Sequence, residues 1–313
     1  MSRRPFGRAG WGWLIVTVVA IGVGWFFVQP DVRRREIRHL ATSLGERGAR
    51  VELTEVLSDL WTLYVVAAEE PVARDVVVGP DRLLVAGEPR PDGFGHGPVQ
   101  VLRNPGFLIG YSDALRSPVW AAYRAGGAER QRPGPRPERF AVDSRTMAQV
   151  QPAEYTRSGY DRGHLAPNLA LALWHGAEAQ RQSFLMSNVV PQRPTLNGGL
   201  WRRMEERVAR NYPARYEEVW IICGPVHAAP PARLRPGGVA IPDSFFLIVL
   251  DETDGRWRAQ AFLVPQDADG AETWERFRTS IDAIERRVGF DFLAALPDAI
   301  EDPLEAAAAG RPW

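Results

Sequence analysis

The amino-acid sequence predicts an α+β fold with a mixed, mainly antiparallel sheet at its core, preceded by one N-terminal transmembrane helix. Two observations lead to this prediction. Short β-rich runs outnumber helical runs from about residue 75 onward, and a long uncharged apolar run lies near the N-terminus. The chain has 313 residues, of which 45% are hydrophobic and 24% charged. This composition is typical of a globular protein and argues against a disordered chain.

The N-terminal apolar run extends over 18 residues without a charge, from Trp11 to Val28. A transmembrane helix needs about 20 such residues. A cleaved signal peptide is the alternative, but the run ends in bulky aromatic residues and no small-residue cleavage site follows. We therefore predict a basic segment at 1–10, a transmembrane signal-anchor at 11–29 and a helical stalk at 30–74. Arginines flank the run on both sides, so the orientation stays open.

The rest of the chain alternates strands with a few helices. Strands are expected at "RLLVAG", "VQVLRN", "GFLIGYS", "VWAAYRA", "VWIICGPV", "GVAIPDSFFLIVLDE" and "RWRAQAFLVPQ". One helix is expected within "LALWHGAEAQRQSFLMSNVV", before a strand. Another covers "LWRRMEERVARNY", where Trp201, Met204 and Val208 form an apolar stripe. A third is expected over "AETWERFRTSIDAIERRVG", ending at Gly289.

The net charge of +0 gives no whole-chain reason to expect a nucleic-acid partner. All 38 cations are nevertheless Arg, because the chain has no Lys, and the planar guanidinium suits phosphate and carboxylate groups. Five Arg between residues 124 and 139 form a local cation cluster in a Gly/Pro-rich loop. The single cysteine, Cys223, excludes an intrachain disulfide and a cysteine metal cluster, and its apolar surroundings favour a buried thiol.

The first candidate for chemistry is the sequence D-R-G-H, from Asp161 to His164. Of the five histidines, only His164 directly follows an acid, an Arg and a Gly. Gly163 permits an unusual backbone angle beside the imidazole. Taken alone, the motif fits an ordinary solvated turn at least as well, because turns commonly contain Asp and Gly.

The second candidate is a set of three residues, Asn197, Trp201 and Glu205, spaced four apart. On a helix they lie along one side, where an amide oxygen and a carboxylate make the oxygen environment that Mg²⁺ prefers. A histidine near such an ion can activate water as a general base. Structural explanations stay open for all three. Asn197 could cap the helix, Glu205 could pair with a neighbouring Arg, and Trp201 could pack in the core.

The motifs "YDRGHLAPN", "FLMSNVVPQRPTLNGGLWRRME", "VWIICGPV" and "VAIPDSFFLIVL" resemble, in this order, those of the DNA/RNA non-specific endonucleases. These are the ββα-metal nucleases, which include mitochondrial endonuclease G and secreted bacterial sugar-non-specific nucleases. The resemblance covers roughly residues 75–302, the predicted endonuclease domain, and leaves 303–313 as a C-terminal tail. It implies a ββα-metal active-site motif and hydrolysis of phosphodiester bonds in DNA and RNA.

The resemblance also implies the roles of the base and the metal. His164 is expected to take a proton from the attacking water. Asn197 is expected to hold a single Mg²⁺ directly, with Mn²⁺ or another divalent ion as the alternative. Glu205 is expected to hold that ion through water.

The remaining roles concern phosphate and orientation. By the same resemblance, Arg162 contacts the scissile phosphate. An upstream arginine in "RPERFAVD" is assigned to Arg136, with Arg139 as the alternative register. Asp161 is expected to orient the local backbone or the histidine.

The expected partners are DNA and RNA, and the membrane through the N-terminal helix; a homodimer and an inhibitor protein are also considered. Two other functions remain open: a catalytically silent nucleic-acid-binding module, and a phosphodiesterase acting on esters other than nucleic acids. A non-specific nuclease in the cytoplasm would attack the cell's own DNA. We therefore predict a membrane-anchored protein with a periplasmic or extracellular catalytic domain, although an inhibitor would make cytoplasmic placement tolerable.

Overall fold

The structure is a computed structural model that describes residues 83–308 except 94, 254 and 255, together with 17, 20, 23–28, 34, 37 and 38. Contacts divide the chain into two units, 1–63 and 64–313. Most of the predicted anchor at 11–29 and stalk at 30–74 lies outside the described residues, of which 23–28 are helical. No helix within the described part is both long and apolar enough to cross a membrane.

A seven-stranded antiparallel sheet forms the centre of the second unit, in the order β10-β9-β8-β7-β4-β3-β2. This confirms the predicted α+β fold with a mainly antiparallel sheet. In chain order, the strands are β1 (Arg90–Pro91), β2 (Val99–Asn104), β3 (Phe107–Ser112), β4 (Ser117–Gly126), β5 (Asp161–His164), β6 (Val189–Gln192), β7 (Glu218–Val226), β8 (Ser244–Thr253), β9 (Arg256–Pro265), β10 (Arg278–Thr279) and β11 (Phe290–Asp291). The first predicted strand, "RLLVAG", forms only an isolated bridge.

Both faces of this sheet are covered, because successive side chains of a strand point to opposite faces. On one face, Ile221 of β7 and Phe245 of β8 belong to a core cluster that includes Trp201. On the other face, Trp220 and Phe246 belong to a second cluster. The near-continuous apolar runs of β7 and β8 therefore reflect burial on two sides.

The first face carries three helical stretches. Helices α1 (Asn168–Trp174) and α2 (Gly176–Gln182) replace the single helix expected there. The chain breaks between them because Gly176 has a φ of +87°, which an α-helix does not allow. Helix α3 is the continuous run from 194 to 216, made of the segments Pro194–Leu196, Asn197–Trp201, Arg202–Glu206, Arg207–Asn211 and Tyr212–Tyr216.

Helix α3 is irregular where the sequence has two glycines. The segments Asn197–Trp201 and Arg207–Asn211 are π-helical, and Gly199 has non-helical angles of φ −107° and ψ −109°. A Cβ at Gly199 would lie 2.6 Å from the Cα of Gly270, so only glycine allows this loop to approach.

The second face carries helices α4 (Ile281–Val288) and α5 (Asp298–Ala306). Helix α4 is shorter than predicted, because Thr279 pairs with Ala261 of β9 and keeps the chain extended. The Ser280 Oγ then accepts a hydrogen bond of 3.2 Å from the backbone N–H of Ala283, which caps the helix. The predicted end at Gly289 is confirmed, with a left-handed φ of 65°.

Candidate active site

The D-R-G-H sequence forms a strand, where the sequence alone had suggested a turn. Strand β5 pairs antiparallel with β6, with Asp161 opposite Gln192 and His164 opposite Val189. Strand β6 leads within two residues into α3, whose first residue is Pro194, a position that proline favours. The two candidate sets of the sequence thus lie on a pair of antiparallel strands, β5 and β6, and on the helix that directly follows β6.

Gly163 is needed for close packing, and not for an unusual backbone angle as the sequence had suggested. Its φ lies outside the left-handed range. A Cβ at this position would lie 2.4 Å from the side-chain oxygen of Gln192 and 2.8 Å from its Cβ. The glycine therefore lets β6 place a fully buried amide against β5.

One hydrogen bond joins strand β5 to helix α3. The Asn197 Nδ2 donates to the Asp161 Oδ2 over 2.9 Å. An ionised carboxylate only accepts hydrogen bonds, so the amide nitrogen must face Asp161 and the amide oxygen, Oδ1, must point elsewhere. Asp161 thus orients the asparagine amide, whereas the expectation was the backbone or the histidine.

Asn197 is not the N-cap of helix α3. Its φ of −57° and ψ of −47° are helical, and its backbone N–H donates to the carbonyl oxygen of Arg193 over 2.9 Å. An N-cap residue instead has extended angles and precedes the first turn. Helix α3 begins three residues earlier, at Pro194, so the capping explanation is wrong.

His164 lies between two aromatic rings. Its ring centroid is 5.2 Å from that of Phe140 and 4.8 Å from that of Phe184, the latter in an edge-to-face arrangement. The side chain keeps some accessible surface, whereas its Nε2 is fully buried and makes no hydrogen bond within the described residues. Burial, and then the charge of Arg136, lower the pKa of His164 to about 3. The imidazole is therefore neutral at pH 7.

Arg136 connects His164 with Glu205. Its guanidinium carbon lies 5.3 Å from the centroid of the Phe184 ring, and its charge lowers the pKa of both His164 and Glu205. Arg136 and Arg139, the alternative register, are both exposed, so the contact of Arg136 with Phe184, and not burial, favours Arg136. The geometry thus brings Arg136 into the same site as the histidine.

Arg162 also lies beside the aromatic rings. Its Nε and Nη2 donate to the carbonyl oxygen of Pro152 over 3.1 and 2.7 Å. Its guanidinium carbon lies 5.7 Å from the Phe140 ring centroid. Since arginine has five N–H donors, this backbone contact fixes the side chain and leaves other donors for a ligand.

Glu205 is partly buried on α3, next to a small enclosed pocket that Tyr123, Trp201 and Cys223 help to line. Burial raises the pKa of Glu205 to about 8. Trp201 opposes this rise, although its Nε1 makes no hydrogen bond of normal geometry. A carboxyl group in such surroundings ionises readily only when a cation lies nearby.

Several residues of the site escaped the sequence analysis. Asn188 is fully buried and holds the chain after His164, because its Oδ1 accepts from the Ala166 N–H and its Nδ2 donates to the Ala166 carbonyl, both over 2.9 Å. Gln192 is fully buried, and neither atom of its amide has a hydrogen-bond partner within the described residues. Asn188 and Gln192 stand on either side of the short apolar run "VVP", and this position could have marked them as buried polar residues of the site. The rings around His164 gave none, because Phe140 and Phe184 are distant in sequence.

Comparison with known proteins identifies the family of the chain. The family of DNA/RNA non-specific endonucleases matches residues 90–299. A nuclease of Nostoc sp. is 28% identical over 217 residues, which covers 64% of this chain and 75% of the relative. Mitochondrial endonuclease G of Homo sapiens is 28% identical over 215 residues, which covers 63% and 70%. The crystal structure of an EndoG/EndoGI complex aligns with a TM-score of 0.56 at 22% identity, covers 66% of this chain and 89% of that chain, and supports the fold.

Fold and relatives together define the chain as a hydrolase that acts on phosphodiester bonds. It belongs to the DNA/RNA non-specific endonuclease family, and its substrates are nucleic acids.

Proposed function

We propose that the chain is a Mg²⁺-dependent endonuclease that cuts both DNA and RNA, with His164 as general base. The observation that carries this proposal is the hydrogen bond between Asn197 and Asp161. It ties the histidine strand to the helix and leaves an oriented amide oxygen, which is the type of ligand that Mg²⁺ accepts. Membership of the family indicates that the substrates are nucleic acids. The oxygen atoms of Asn197 and Glu205 are the reason for proposing a divalent cation.

The residues present fit such a cation. Asn197 offers its oriented Oδ1, and Glu205 offers a carboxylate that burial makes costly to ionise in the absence of a positive charge. We assign Asn197 as the direct ligand and Glu205 as a contact through water. When bound, the divalent ion stabilises negative charge on the phosphate and on the leaving oxygen. Mn²⁺ or another divalent ion would satisfy the same oxygen donors.

His164 is suited to accept a proton. Its low pKa keeps the imidazole neutral, so one ring nitrogen is unprotonated at pH 7. A phosphodiester anion bound beside the ring raises that pKa and makes the imidazole a better base at the moment when water attacks. The rings of Phe140 and Phe184 hold the imidazole in one place.

Arg136 and Arg162 are assigned to the phosphate. A guanidinium donates two parallel hydrogen bonds to phosphate oxygens, which neutralises charge without reading a base. Arg162 is held by the Pro152 carbonyl, and Arg136 lies over Phe184. Contacts of this kind explain how one site can accept both DNA and RNA.

The test is cleavage of plasmid DNA and of RNA by the full chain in detergent, with Mg²⁺ and with EDTA. We expect both polymers to be cut only with the metal, and His164→Ala to abolish cutting. Binding of both polymers without cleavage would identify a silent binding module. Cleavage of a simple phosphodiester, but of neither polymer, would identify a phosphodiesterase with another substrate.

A second test separates a metal ligand from a structural asparagine. Asn197→Ala should raise the Mg²⁺ concentration needed for half-maximal rate, with Asn211→Ala on the same helix as the control. Loss of the hydrogen bond to Asp161 costs about 1.5–3 kcal/mol of stability. If Asn197→Ala loses only that stability and keeps the Mg²⁺ dependence of the wild type, the ligand assignment is wrong.

We further propose that the N-terminal segment anchors the protein and that the catalytic domain acts in the periplasm or outside the cell. The uncharged run of 18 residues from Trp11 to Val28 supports the anchor. Resistance to carbonate extraction together with protease sensitivity in spheroplasts, whose inner membrane is intact, is the expected result. Release into the soluble fraction would reject the anchor.

Two partners belong to the same proposal. A related EndoG is described in complex with EndoGI and as inhibited by it, which supports an inhibitor protein as a partner here. A homodimer is testable by sedimentation of the purified chain.

A further inference from the structure

A group of five carboxyl residues lies on the face of the central sheet opposite to the active site. They come from helix α4, strand β11 and helix α5, and we call them the acidic cluster: Asp282, Glu285, Asp291, Glu301 and Glu305. Helices α4 and α5 pack on the core cluster of Trp220 and Phe246, whereas α3 packs on the other. This group is therefore separate from Asn197 and His164.

The acidic cluster consists of two triads that share Glu305. One carboxylate oxygen each from Asp282, Glu285 and Glu305 lie within 4.8 Å of one another, and the same holds for Asp291, Glu301 and Glu305. Oxygen ligands of Ca²⁺ lie about 2.3–2.6 Å from the ion, so two of them can be up to about 5 Å apart. Each triad thus has the spacing of a partial calcium coordination sphere.

Glu305 distinguishes this group from an ordinary solvated acidic patch. The residue is only 8% exposed. Its carboxyl group shares a hydrogen bond with Glu285, whereas its Oε1 is buried without a hydrogen-bond partner within the described residues. Buried carboxylates are normally paired or hydrogen-bonded, because an unpaired buried charge is costly. The unpartnered oxygen belongs to the one residue that both triads share.

The charges that act on Glu305 are all negative, from Glu285, Glu301, Asp291 and Asp282. Cations reach only the edge of the acidic cluster. Arg286 lies 3.8 Å from Asp282 with its own side chain largely exposed, and Arg90 acts on Glu301. Neither neutralises the buried centre.

We propose that the acidic cluster binds one Ca²⁺ ion through Glu305, and that the ion fixes helix α5 against helix α4. Ca²⁺ suits the site because it takes six to eight oxygen ligands in flexible geometry, whereas Mg²⁺ demands a near-ideal octahedron. The ligands come from three elements in sequence, so binding cross-links helix α5 to helix α4 and to strand β11. This ion is structural and independent of the catalytic one.

The experiment uses the full chain, stripped with a chelator and titrated with Ca²⁺ while thermal unfolding and bound Ca²⁺ are measured. At a hundredfold excess over the dissociation constant, we expect the wild-type Tm to rise by about 5–10 °C. Glu305→Gln should remove this rise, and the exposed Glu178→Gln should keep it. Asn197→Ala should also keep it, which separates this ion from the catalytic metal.

The decisive result is that Ca²⁺ reverses which protein, the wild type or Glu305→Gln, unfolds at the higher temperature. Without Ca²⁺ at pH 8, Glu305→Gln should unfold at a higher temperature than the wild type, because the wild type must either bury the Glu305 carboxylate among four others or take up a proton when it folds, and the amide requires neither. With Ca²⁺, the wild type should be the more stable. If Glu305 had a merely structural role, the same one of these two proteins would be the more stable with and without Ca²⁺.

Other outcomes overturn the proposal. If Ca²⁺ changes neither the wild-type Tm nor the bound-metal count, and acidification alone stabilises α5, then Glu305 and Glu285 share a proton and no cation binds. If Glu305→Gln fails to fold, Asp282→Asn and Asp291→Asn each disable one triad. A full Ca²⁺ response in both of these variants would rule out the acidic cluster as the site.

Discussion

Two buried carboxyl groups in different regions of the molecule have opposite surroundings. Asp143 contacts Ser187, just before strand β6, and is 4% exposed, whereas Glu305 lies in the acidic cluster and is 8% exposed. Asp143 accepts hydrogen bonds from the Nε and Nη2 of Arg145 over 2.9 and 2.6 Å and from the Ser187 hydroxyl over 2.6 Å. Glu305 has an oxygen with no partner among the described residues.

The pKa shifts of these two groups show what burial alone does. Burial raises the pKa of Asp143, but the hydrogen bonds from Arg145 and Ser187 outweigh it and the net shift is downward. Burial, and then the charge of Glu285, raise the pKa of Glu305 to about 9. Hydrogen-bond donors, and not depth, therefore decide whether a buried carboxyl is charged in this protein.

The largest expected effect is on the rate of cleavage. It tests whether cleavage depends on the active-site side of the sheet and not on the other side. His164→Ala should lower the cleavage rate about 10²- to 10⁴-fold, because a positioned general base contributes that much. The control is His227→Ala, which should cleave like the wild type. Equal rates for His164→Ala and the wild type in a plasmid assay would remove the histidine from the mechanism.

The next effect concerns stability on the active-site side. Asp143→Asn should destabilise the protein by about 2–3 kcal/mol, because it weakens charged hydrogen bonds to Arg145 and Ser187 in a buried place. Urea unfolding measures the change, with the exposed Glu138→Gln as the control. A loss below about 0.5 kcal/mol would mean that Asp143 and Glu305 differ less than their contacts indicate.

The pH dependence of stability should have opposite signs for the two groups. The folded pKa of Asp143 is depressed, so its contribution is present above the unfolded value of 3.8 and is lost as pH falls below it. The folded pKa of Glu305 is raised, so stability is present below the unfolded value of 4.5 and is lost as pH rises toward about 9. Urea midpoints of Asp143→Asn and Glu305→Gln, measured against the wild type from pH 3 to 9 without divalent ions, should show these two opposite trends.

The smallest effect concerns the helix that carries part of the acidic cluster. Ser280→Ala should cost about 1 kcal/mol, because the Ala283 N–H loses its capping partner. Ser280→Asp should restore most of this loss, since aspartate also caps helices. Cleavage by the folded fraction should be unchanged in both variants, and a fall in rate would show that the two sides of the sheet are coupled.

Much of the fold was predictable because its signals are local. The apolar runs of β7 and β8 and the stripe of Trp201, Met204 and Val208 indicated strands and a helix, and the structure confirms them. The single helix predicted before Gly289 was wrong in its first half, where Trp274–Phe277 is a 3₁₀ helix and Arg278–Thr279 is a strand paired with β9. Such a pairing partner lies far away in sequence and leaves no local trace.

The sequence named candidate residues for the site but not the contacts that these residues make. Asp161, Arg162, His164, Asn197 and Glu205 were all candidates. Their contacts were not, since Asp161 turned out to hold an amide and Arg162 a backbone carbonyl. A single sequence records which groups are available, whereas their partners depend on how distant segments pack.

The sequence by itself determined the periodicities, the helix stop at Gly289 and the identity of the functional groups, because these depend on neighbours within a few residues. Only the tertiary structure decided that Gly163 is required by the packing of Gln192, that Asn197 presents its oxygen, and that five carboxylates meet at Glu305. Each of these features depends on contacts between segments that are far apart in sequence. In such contacts, burial and hydrogen bonding decide whether an ionisable group is charged.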